Sequence, residues 1–194
     1  MRLYDGLSIG LFGGSFNPAH AGHMHVANCG LKDLGLDRVW WMVSPQNPLK
    51  PKQPSYESRV KTVETLGLAP RMEISHAERD FGTQCTIDLI CNLQTRYPQT
   101  RFVFLMGADN FAQLPKWKDW RNIIARIPIA VISRPGDGVK PRLSQTARMY
   151  GIARLAEEHS HFLANLRPPV WTFLTPPLNS LSSTALRKAV ANNK

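Results

Sequence analysis

The stretch LSIGLFGGSFNPAHAGH, residues 7–23, decides the fold of this chain. Its apolar run over Leu7–Phe12 predicts a buried strand, which the pair Gly13-Gly14 ends. Two histidines three residues apart follow, at the start of a helix predicted over about His20–Leu34. A strand, a glycine-rich turn and a helix N-terminus in this order bring backbone N–H groups to a point where a phosphate can bind.

The rest of the chain repeats the alternation of short apolar runs with longer amphipathic stretches. Further strands are predicted at Arg38–Val43, Met72–Ser75, Arg101–Met106, Ile127–Ser133 and Val170–Thr175. Further helices are predicted at about Tyr56–Leu66, Thr86–Tyr97, Trp117–Ala125, Thr146–Leu163 and Ser182–Val190. Several strands are apolar at consecutive positions, which is typical of strands covered on both faces. We therefore predict one α/β domain over residues 1–194, a Rossmann-like parallel sheet with helices on both faces.

Composition and charge limit the kinds of molecule that this protein is expected to bind. The hydrophobic fraction of 43% excludes wholesale disorder, and the net charge of +10 favours an anionic partner over a solvated surface alone. The sequence has no zinc-finger spacing, RNP motif or Lys/Arg run, so nucleic acid is not the expected partner. The stretches of apolar residues are too short for a signal peptide or a bilayer span. We expect a cytoplasmic protein that binds no membrane.

Cysteines and prolines add two further expectations. Cys29, Cys85 and Cys91 are too few and too scattered for a disulfide framework and are expected to be free thiols. Proline-rich loops over 44–55 and 134–143 carry Lys or Arg. We expect both loops at the carboxyl edge of the sheet, where open α/β folds bind ligands. Self-association into a homo-oligomer stays open.

The turn after the first strand excludes several phosphate and nucleophile motifs. It is neither GxGxxG nor GxxxxGK[ST], and Asn17 stands where a GxSxG elbow needs its last glycine. His20 and His23 share one helix face and could donate hydrogen bonds to phosphate oxygens. Two alternatives stay open: a metal site that adds His25 and Cys29, and histidines that only cap the helix or face solvent.

The segment LSSTALR, residues 181–187, forms a second candidate anion site. Ser182 or Ser183 can cap the last helix, and Arg187 lies within a turn of the helix start. On its own this pattern is typical of an ordinary N-cap. Together with the histidine turn it predicts a cradle for a triphosphate.

Three motifs carry a resemblance to a known family. GGSFNPAHAGH resembles the G-x-F-x-P-x-H-x-G-H signature of the nucleotidylyltransferase superfamily, and LSSTALR resembles its I-S-S-T-x-[IV]-R motif. The run Gly107-Ala108-Asp109-Asn110, followed by Trp117 and Trp120, resembles the G-A-D-N…W…W segment of bacterial nicotinate-nucleotide adenylyltransferases. The resemblance runs in order over nearly the whole chain, and three motifs in order are highly specific.

The resemblance implies an activity and its substrates. The 5′-phosphate of nicotinic acid mononucleotide attacks the α-phosphate of ATP in line, pyrophosphate leaves and deamido-NAD forms. Mg²⁺ is expected to arrive mainly on the ATP phosphates, with no metal held by the protein itself. A sister adenylyltransferase that acts on nicotinamide mononucleotide or phosphopantetheine is the alternative.

The resemblance also implies roles for particular residues. His20 and His23 are the expected catalytic residues, with His23 the donor in the transition state. The expected ATP-binding residues are Gly13, Gly14, Ser15, Phe16, Arg134, Ser182, Ser183, Thr184 and Arg187. The expected mononucleotide-binding residues are Lys50, Thr86, Asp109 and Trp117, with Asp109 on ribose hydroxyls and Trp117 stacked on the pyridine ring.

Simpler interpretations of these positions stay open beside the implied roles. Trp117 and Trp120 could form a core stripe, Asp109 could cap a helix, and Lys50 could be a solvated charge. The family's S-Y-T-x-D-T-L segment is only partly kept, because Cys85 replaces its aromatic residue and Leu89 its second threonine.

Overall fold

A computed structural model describes residues 3–45, 53–133 and 140–176. Within them, seven strands form one parallel sheet in the order β3-β2-β1-β4-β5-β7-β6. The strands are β1 (Ser8–Gly14), β2 (Arg38–Val43), β3 (Met72–Ser75), β4 (Arg101–Gly107), β5 (Ile129–Ile132), β6 (Arg154–Leu155) and β7 (Trp171–Leu174). The predicted Rossmann-like α/β fold is confirmed.

Helices connect these strands. In the described residues the α-helices are α1 (Ala21–Lys32), α2 (Tyr56–Glu64), α3 (Ala77–Asp80), α4 (Thr86–Arg96), α5 (Ala108–Gln113), α6 (Trp120–Arg126) and α7 (Gln145–Met149). Short 3₁₀ helices lie at Leu114–Lys116, Lys140–Leu143, Gly151–Ala153 and Glu157–Asn165. In this part of the chain, every helix is too short or too polar to cross a membrane.

The sheet is buried on both faces, as the consecutive apolar runs indicate. Along β4, Phe102 and Phe104 pack on one face with α4 and α6, whereas Val103 and Leu105 pack on the other with α1. Alternate side chains of a strand point to opposite faces, so a strand with two covered faces must be apolar at each position. The three cysteine thiols are free, and burial raises the pKa of Cys29 to about 12.

The helix predicted over Thr146–Leu163 is wrong. The structure divides this segment into α7, a 3₁₀ turn, the short strand β6 and a second 3₁₀ helix. Leu155 pairs with Thr172 of β7, and the Arg154 guanidinium lies 5.7 Å from the Trp171 ring centroid. These partners are distant in sequence, so the local pattern could not reveal the strand.

The helix predicted over Trp117–Ala125 begins three residues later, at Trp120. Asp119 has a left-handed backbone with φ 49°, and Trp117 is extended, so neither continues a helix. Trp120 is buried in the core, while Trp117 is only partly buried. The helix predicted at Ser182–Val190 lies outside the described residues. Much of each proline-rich loop also lies outside them.

The strand order fixes where a ligand can bind. From β1 the chain moves outward through β2 to β3 and then returns to place β4 on the other side of β1. Connections therefore leave β1 and β4 in opposite directions, which opens a crevice at their carboxyl ends.

Candidate functional site

A cavity of about 410 Å³ lies at the carboxyl edge of the sheet. Its walls come from the turn after β1, the end of β2, helix α3, the start of α4 and the segment between α5 and α6. The lining residues are Gly13, Gly14, Ser15, Ser44, Glu78, Gln84, Cys85, Thr86, Phe104, Asn110, Lys116, Trp117 and Lys118. Five of the sequence-predicted site residues are thus brought together: Gly13, Gly14, Ser15, Thr86 and Trp117.

The turn after β1 is tightly folded. Phe16 has a positive φ of 45° and is 1% exposed, and its ring lies so close to Gly14 that a Cβ there would be 2.9 Å from the ring. Only glycine leaves this space, so the backbone can approach a ligand closely. Phe16 was expected among the ATP-binding residues, but its side chain is buried, so its backbone alone is available to a ligand.

The two histidines lie at the start of α1, directly after this turn. His20 is the N-cap residue, and its backbone N–H donates to Nδ1 of His23 at 3.2 Å. The two rings stack with centroids 3.8 Å apart. Because Nδ1 of His23 accepts a hydrogen bond, the ring hydrogen of the neutral form resides on Nε2. Neither histidine lines the cavity itself, which begins at the preceding turn.

Aromatic packing holds the ring of His23. Its centroid lies 5.0 Å from that of Phe16 and 6.1 Å from that of Phe12, and both phenylalanines contact Trp41 beneath. A ring fixed by both packing and a backbone hydrogen bond can present a donor in a constant direction. His25, by contrast, lies 3.9 Å from the Cys29 sulfur. The described residues contain no group of three or more His, Cys, Asp or Glu side chains placed to hold a metal ion.

Helix α2 anchors the turn through a residue that the sequence analysis missed. Arg59 is 1% exposed, and its guanidinium donates to the carbonyl oxygens of Ser15 at 2.9 Å, Pro45 at 2.7 Å and Pro54 at 3.1 Å. Burial lowers the pKa of Arg59. An arginine in a polar helix is usually interpreted as a surface charge, so the sequence gives no signal of this role.

A second side chain of α2 strengthens the anchor. Thr62 Oγ1 accepts from the Ala19 N–H at 3.0 Å and donates to the Arg59 carbonyl oxygen of its own helix at 2.7 Å, with the Phe16 carbonyl oxygen at 3.2 Å as a second acceptor. Helix α2 therefore holds both ends of the segment from Ser15 to Ala19, through Arg59 at Ser15 and through Thr62 at Ala19.

The opposite wall of the cavity is built by α4 and Trp117. The Trp117 ring meets Phe104 edge to face at 6.2 Å, and Thr86 is the first residue of α4. The neighbouring Lys118 forms an ion pair with Asp88 of α4 at 3.1 Å, and this hydrogen bond raises the pKa of Lys118. The ion pair fastens the segment that carries Trp117 to α4.

Other predicted residues are not part of this wall. Asp109 is exposed and lies outside the cavity lining, in which its neighbour Asn110 takes part. Lys50, Arg134, Ser182, Ser183, Thr184 and Arg187 lie outside the described residues.

A second missed residue, Glu78 of α3, is buried in the cavity wall. It is 8% exposed, and burial raises the pKa of its carboxyl group to about 7, against the opposing charge of Arg59. A glutamate in the polar segment AERD has no sequence signal that distinguishes it from a surface carboxylate.

The pKa of Glu78 predicts a pH-dependent stability difference for Glu78→Gln. The folded protein holds this proton up to about pH 7, whereas the unfolded chain releases it near pH 4.5, so wild-type stability falls as pH rises between these values. Glutamine does not titrate. We expect the variant to match wild type near pH 4.5 and to exceed its free energy of unfolding by about 1–3 kcal/mol at pH 8. Urea unfolding at both pH values measures this difference, and an equal effect at both would contradict it.

The whole chain is similar to proteins of one family. A model of the cytidylyltransferase-like family matches residues 11–189. A protein of Ruegeria pomeroyi named probable nicotinate-nucleotide adenylyltransferase is 46% identical over 185 residues, which cover 95% of this chain and 87% of that protein. A protein of the same name from Parvibaculum lavamentivorans is 47% identical over 188 residues, which cover 96% of this chain and 94% of that protein.

Solved structures give a matching fold. The Plasmodium falciparum nicotinic acid mononucleotide adenylyltransferase complexed with NaAD matches with a TM-score of 0.71 at 16% identity, over 94% of this chain and 83% of that one. The same protein complexed with APC matches with a TM-score of 0.68 at 15% identity and the same coverage. At these identities the likeness supports the architecture.

Proposed function

The chain belongs to the cytidylyltransferase-like family and to its nicotinate-nucleotide adenylyltransferases, and from this premise we propose how its residues divide the reaction. The enzyme transfers AMP from ATP to nicotinic acid mononucleotide and yields deamido-NAD and pyrophosphate. One observation supports our assignment of the site: the end of β1, Gly13–Ser15, lines the same cavity as Trp117 and is followed, after four intervening residues, by the histidine pair. Two substrates can therefore meet at this turn.

The chemistry is a displacement at phosphorus between two anions. A phosphate oxygen of the mononucleotide bonds to the α-phosphorus of ATP, the bond from that phosphorus to the bridging oxygen breaks, and pyrophosphate leaves with the electron pair. The protein has to align two mutually repelling groups and stabilise the charge that develops between them. Positioned hydrogen-bond donors and a basic surface serve both tasks.

The phosphate half of the site is assigned to the turn and α1. Backbone N–H groups of Gly13, Gly14 and Ser15 line the phosphates, and the free N–H groups of the α1 N-terminus face the same anions. His20 contacts the ATP phosphates. His23 donates from Nε2 to the α-phosphate oxygens as charge accumulates there.

The remaining phosphate contacts are assigned by resemblance to residues outside the described part of the chain. Ser182, Ser183, Thr184 and Arg187 hold the β- and γ-phosphates with help from Arg134, and Lys50 reaches a substrate phosphate. Arginine suits this role because its planar fork matches two phosphate oxygens at once.

The mononucleotide half is assigned to the opposite wall. Trp117 covers the pyridine ring, and the ring carboxylate faces the start of α4. Within that loop the Thr83 N–H donates to the Glu78 carbonyl oxygen at 3.0 Å and the Cys85 N–H to Thr83 Oγ1 at 3.2 Å. Donors for the carboxylate at this wall include the Thr86 hydroxyl, the Gln84 side-chain amide and the N–H groups of the first turn of α4.

We extend the proposal to cofactor, partners and compartment. ATP enters as its Mg²⁺ complex, because phosphate oxygens are the hard ligands that this ion prefers. The whole chain, residues 1–194, forms one cytoplasmic nucleotidylyltransferase domain whose partners are its two nucleotide substrates, with no role for nucleic acid or membrane. A measurement of the mass of the protein in solution tests whether the chain forms a homo-oligomer.

The acceptor provides the test of this function. The amide of nicotinamide mononucleotide would leave some of the donors arranged for a carboxylate unpaired. We therefore expect kcat/KM to be about 10²-fold or more higher for nicotinic acid mononucleotide than for nicotinamide mononucleotide. Pyrophosphate release at matched ATP, with the acid, the amide and phosphopantetheine as acceptors, measures this ratio. Equal efficiency for acid and amide, or turnover of phosphopantetheine instead, would overturn the assignment.

Trp117→Ala should separate stacking from charge recognition. Stacking contributes equally to both mononucleotides because both carry a pyridinium ring, and a base on an aromatic ring gains about 1–3 kcal/mol. We expect KM to rise about 5- to 100-fold for the acid and the amide alike, with the KM for ATP nearly unchanged. Trp120→Phe, a change in the core, is the matched control. A loss confined to the acid would contradict stacking.

A further inference from the structure

One carboxyl oxygen of Glu78, Oε2, has no hydrogen-bond donor within the part of the chain that the structure describes. Glu78 is only 8% exposed and lines the cavity, yet among the described groups its Oε2 atom has no hydrogen-bond partner. Buried polar atoms in folded proteins are nearly always paired, because an unpaired one loses its hydration without compensation. Such an atom in the wall of a substrate cavity is available to a hydrogen-bond donor of a ligand.

The neighbours of Glu78 do not supply this donor. Arg59 attracts the carboxylate electrostatically, but its Nε, Nη1 and Nη2 atoms donate to three backbone carbonyl oxygens. Tyr56 of α2 also interacts electrostatically with Glu78, and the titratable side chains of Cys85, Lys116 and Lys118 line the same cavity.

The backbone of Glu78 contacts the wall that we assign to the mononucleotide, while its carboxyl group lies near Arg59 of α2. Its carbonyl oxygen accepts from the Thr83 N–H at 3.0 Å, which ties α3 to the loop that precedes Thr86 and α4. The terminal torsion of a glutamate side chain turns at low energetic cost. The carboxyl group can therefore present an oxygen to a donor in this half of the cavity.

The chemistry of the acceptor substrate identifies the donor. The ring carboxylate and the 5′-phosphate of nicotinic acid mononucleotide only accept hydrogen bonds, so its ribose hydroxyls are its sole donors at neutral pH. We propose that Glu78 is a specificity-determining residue that accepts a hydrogen bond from a ribose hydroxyl of the mononucleotide. This inference rests on the proposed function and moves the ribose contact from the exposed Asp109 to a buried side chain.

Deletion of single hydroxyls from the substrate tests the contact. The 2′-deoxy and 3′-deoxy forms of nicotinic acid mononucleotide are compared with the parent at pH 8.5, where Glu78 is charged, in wild type, Glu78→Ala and the control Asp109→Ala. In wild type and the control, we expect removal of the contacted hydroxyl to lower kcat/KM by about 10- to 100-fold. In Glu78→Ala the same removal should change it less than about 2-fold, and the KM for ATP should stay within about 2-fold of wild type.

A merely structural role for Glu78 gives a different result. A structural role would make Glu78→Ala lower kcat/KM for the parent and both deoxy substrates in equal proportion, and this outcome would overturn the proposal. A rise in the KM for ATP in Glu78→Ala would also overturn it, as would loss of the hydroxyl dependence in Asp109→Ala. If Glu78→Ala does not fold, Glu78→Gln replaces it. Because the glutamine carbonyl is neutral, we expect removal of the same hydroxyl to lower the kcat/KM of Glu78→Gln by only about 2- to 5-fold. A loss as large as in wild type would contradict the proposal. Failure of wild type to use the parent mononucleotide at all refutes the proposed function and not this contact.

Discussion

His23→Ala should lower kcat by about 10²–10³-fold while changing the Kd for ATP only a few-fold. A donor aimed at charge that develops in the transition state contributes to turnover more than to ground-state binding, and removal of one such donor typically costs this factor. The His23 ring is held for this task by the hydrogen bond from the His20 N–H and by packing on Phe16. Pyrophosphate release at saturating substrates gives kcat, and calorimetric titration with ATP gives Kd.

His25→Ala is the matched control for this experiment. It removes an imidazole from the same helix, but one whose ring lies next to Cys29 rather than beside the His20 ring. We expect nearly wild-type kcat for the control. Nearly wild-type kcat in His23→Ala, or a loss that appears wholly in the Kd for ATP, would refute the transition-state role.

Arg59→Ala should reduce both stability and turnover. The substitution leaves the carbonyl oxygens of Ser15, Pro45 and Pro54 without their donor and opens a cavity under the turn. Each buried carbonyl left unpaired costs about 1–3 kcal/mol, and water replaces part of this loss, so we expect the free energy of unfolding to fall by about 3–5 kcal/mol. A displaced turn should also lower kcat at least about 10-fold at temperatures where the variant is folded.

Two further variants define the cause of the Arg59 effect. Arg79→Ala removes an exposed arginine of α3 and should change stability by less than about 0.5 kcal/mol. Arg59→Lys keeps the charge but cannot reach three carbonyl oxygens, so it should recover only part of the loss. Urea unfolding and initial rates measure both effects, and full recovery by lysine would show that charge alone matters.

The sequence predicted the parts of the fold that local patterns determine. Strand β2 and the start of α2 fall at their predicted positions, Arg38–Val43 and Tyr56, and α1 begins one residue after its predicted start. The segment from residue 146 to 163 could not be predicted, because β6 exists only by pairing with β7. Trp117 left its predicted helix because Asp119 adopts a left-handed backbone, which sequence spacing does not reveal.

The residues of the candidate site likewise fall into those that the sequence predicted and those that it did not. The glycine turn and the histidine pair were visible because glycine and histidine are rare in such spacing unless the backbone or the chemistry requires them. Arg59 and Glu78 were invisible, since charged residues in polar segments normally face solvent, and only the tertiary packing of α2 and α3 buries them. Burial of a charge is a property of the assembled fold and leaves no local pattern.

The order of the strands has a consequence for how acceptor specificity can be redesigned. The segment Gly13–Ser15 lies at the end of β1 and is held by Arg59 of α2, on the β1-β2-β3 side of the sheet. Trp117 follows β4, and the ion pair between its neighbour Lys118 and Asp88 joins this segment to α4. The two walls thus have separate supports that meet at one cavity. A library confined to residues 83–86, 116 and 117 therefore varies this wall while the Arg59 hydrogen bonds and the Asp88–Lys118 ion pair stay in place.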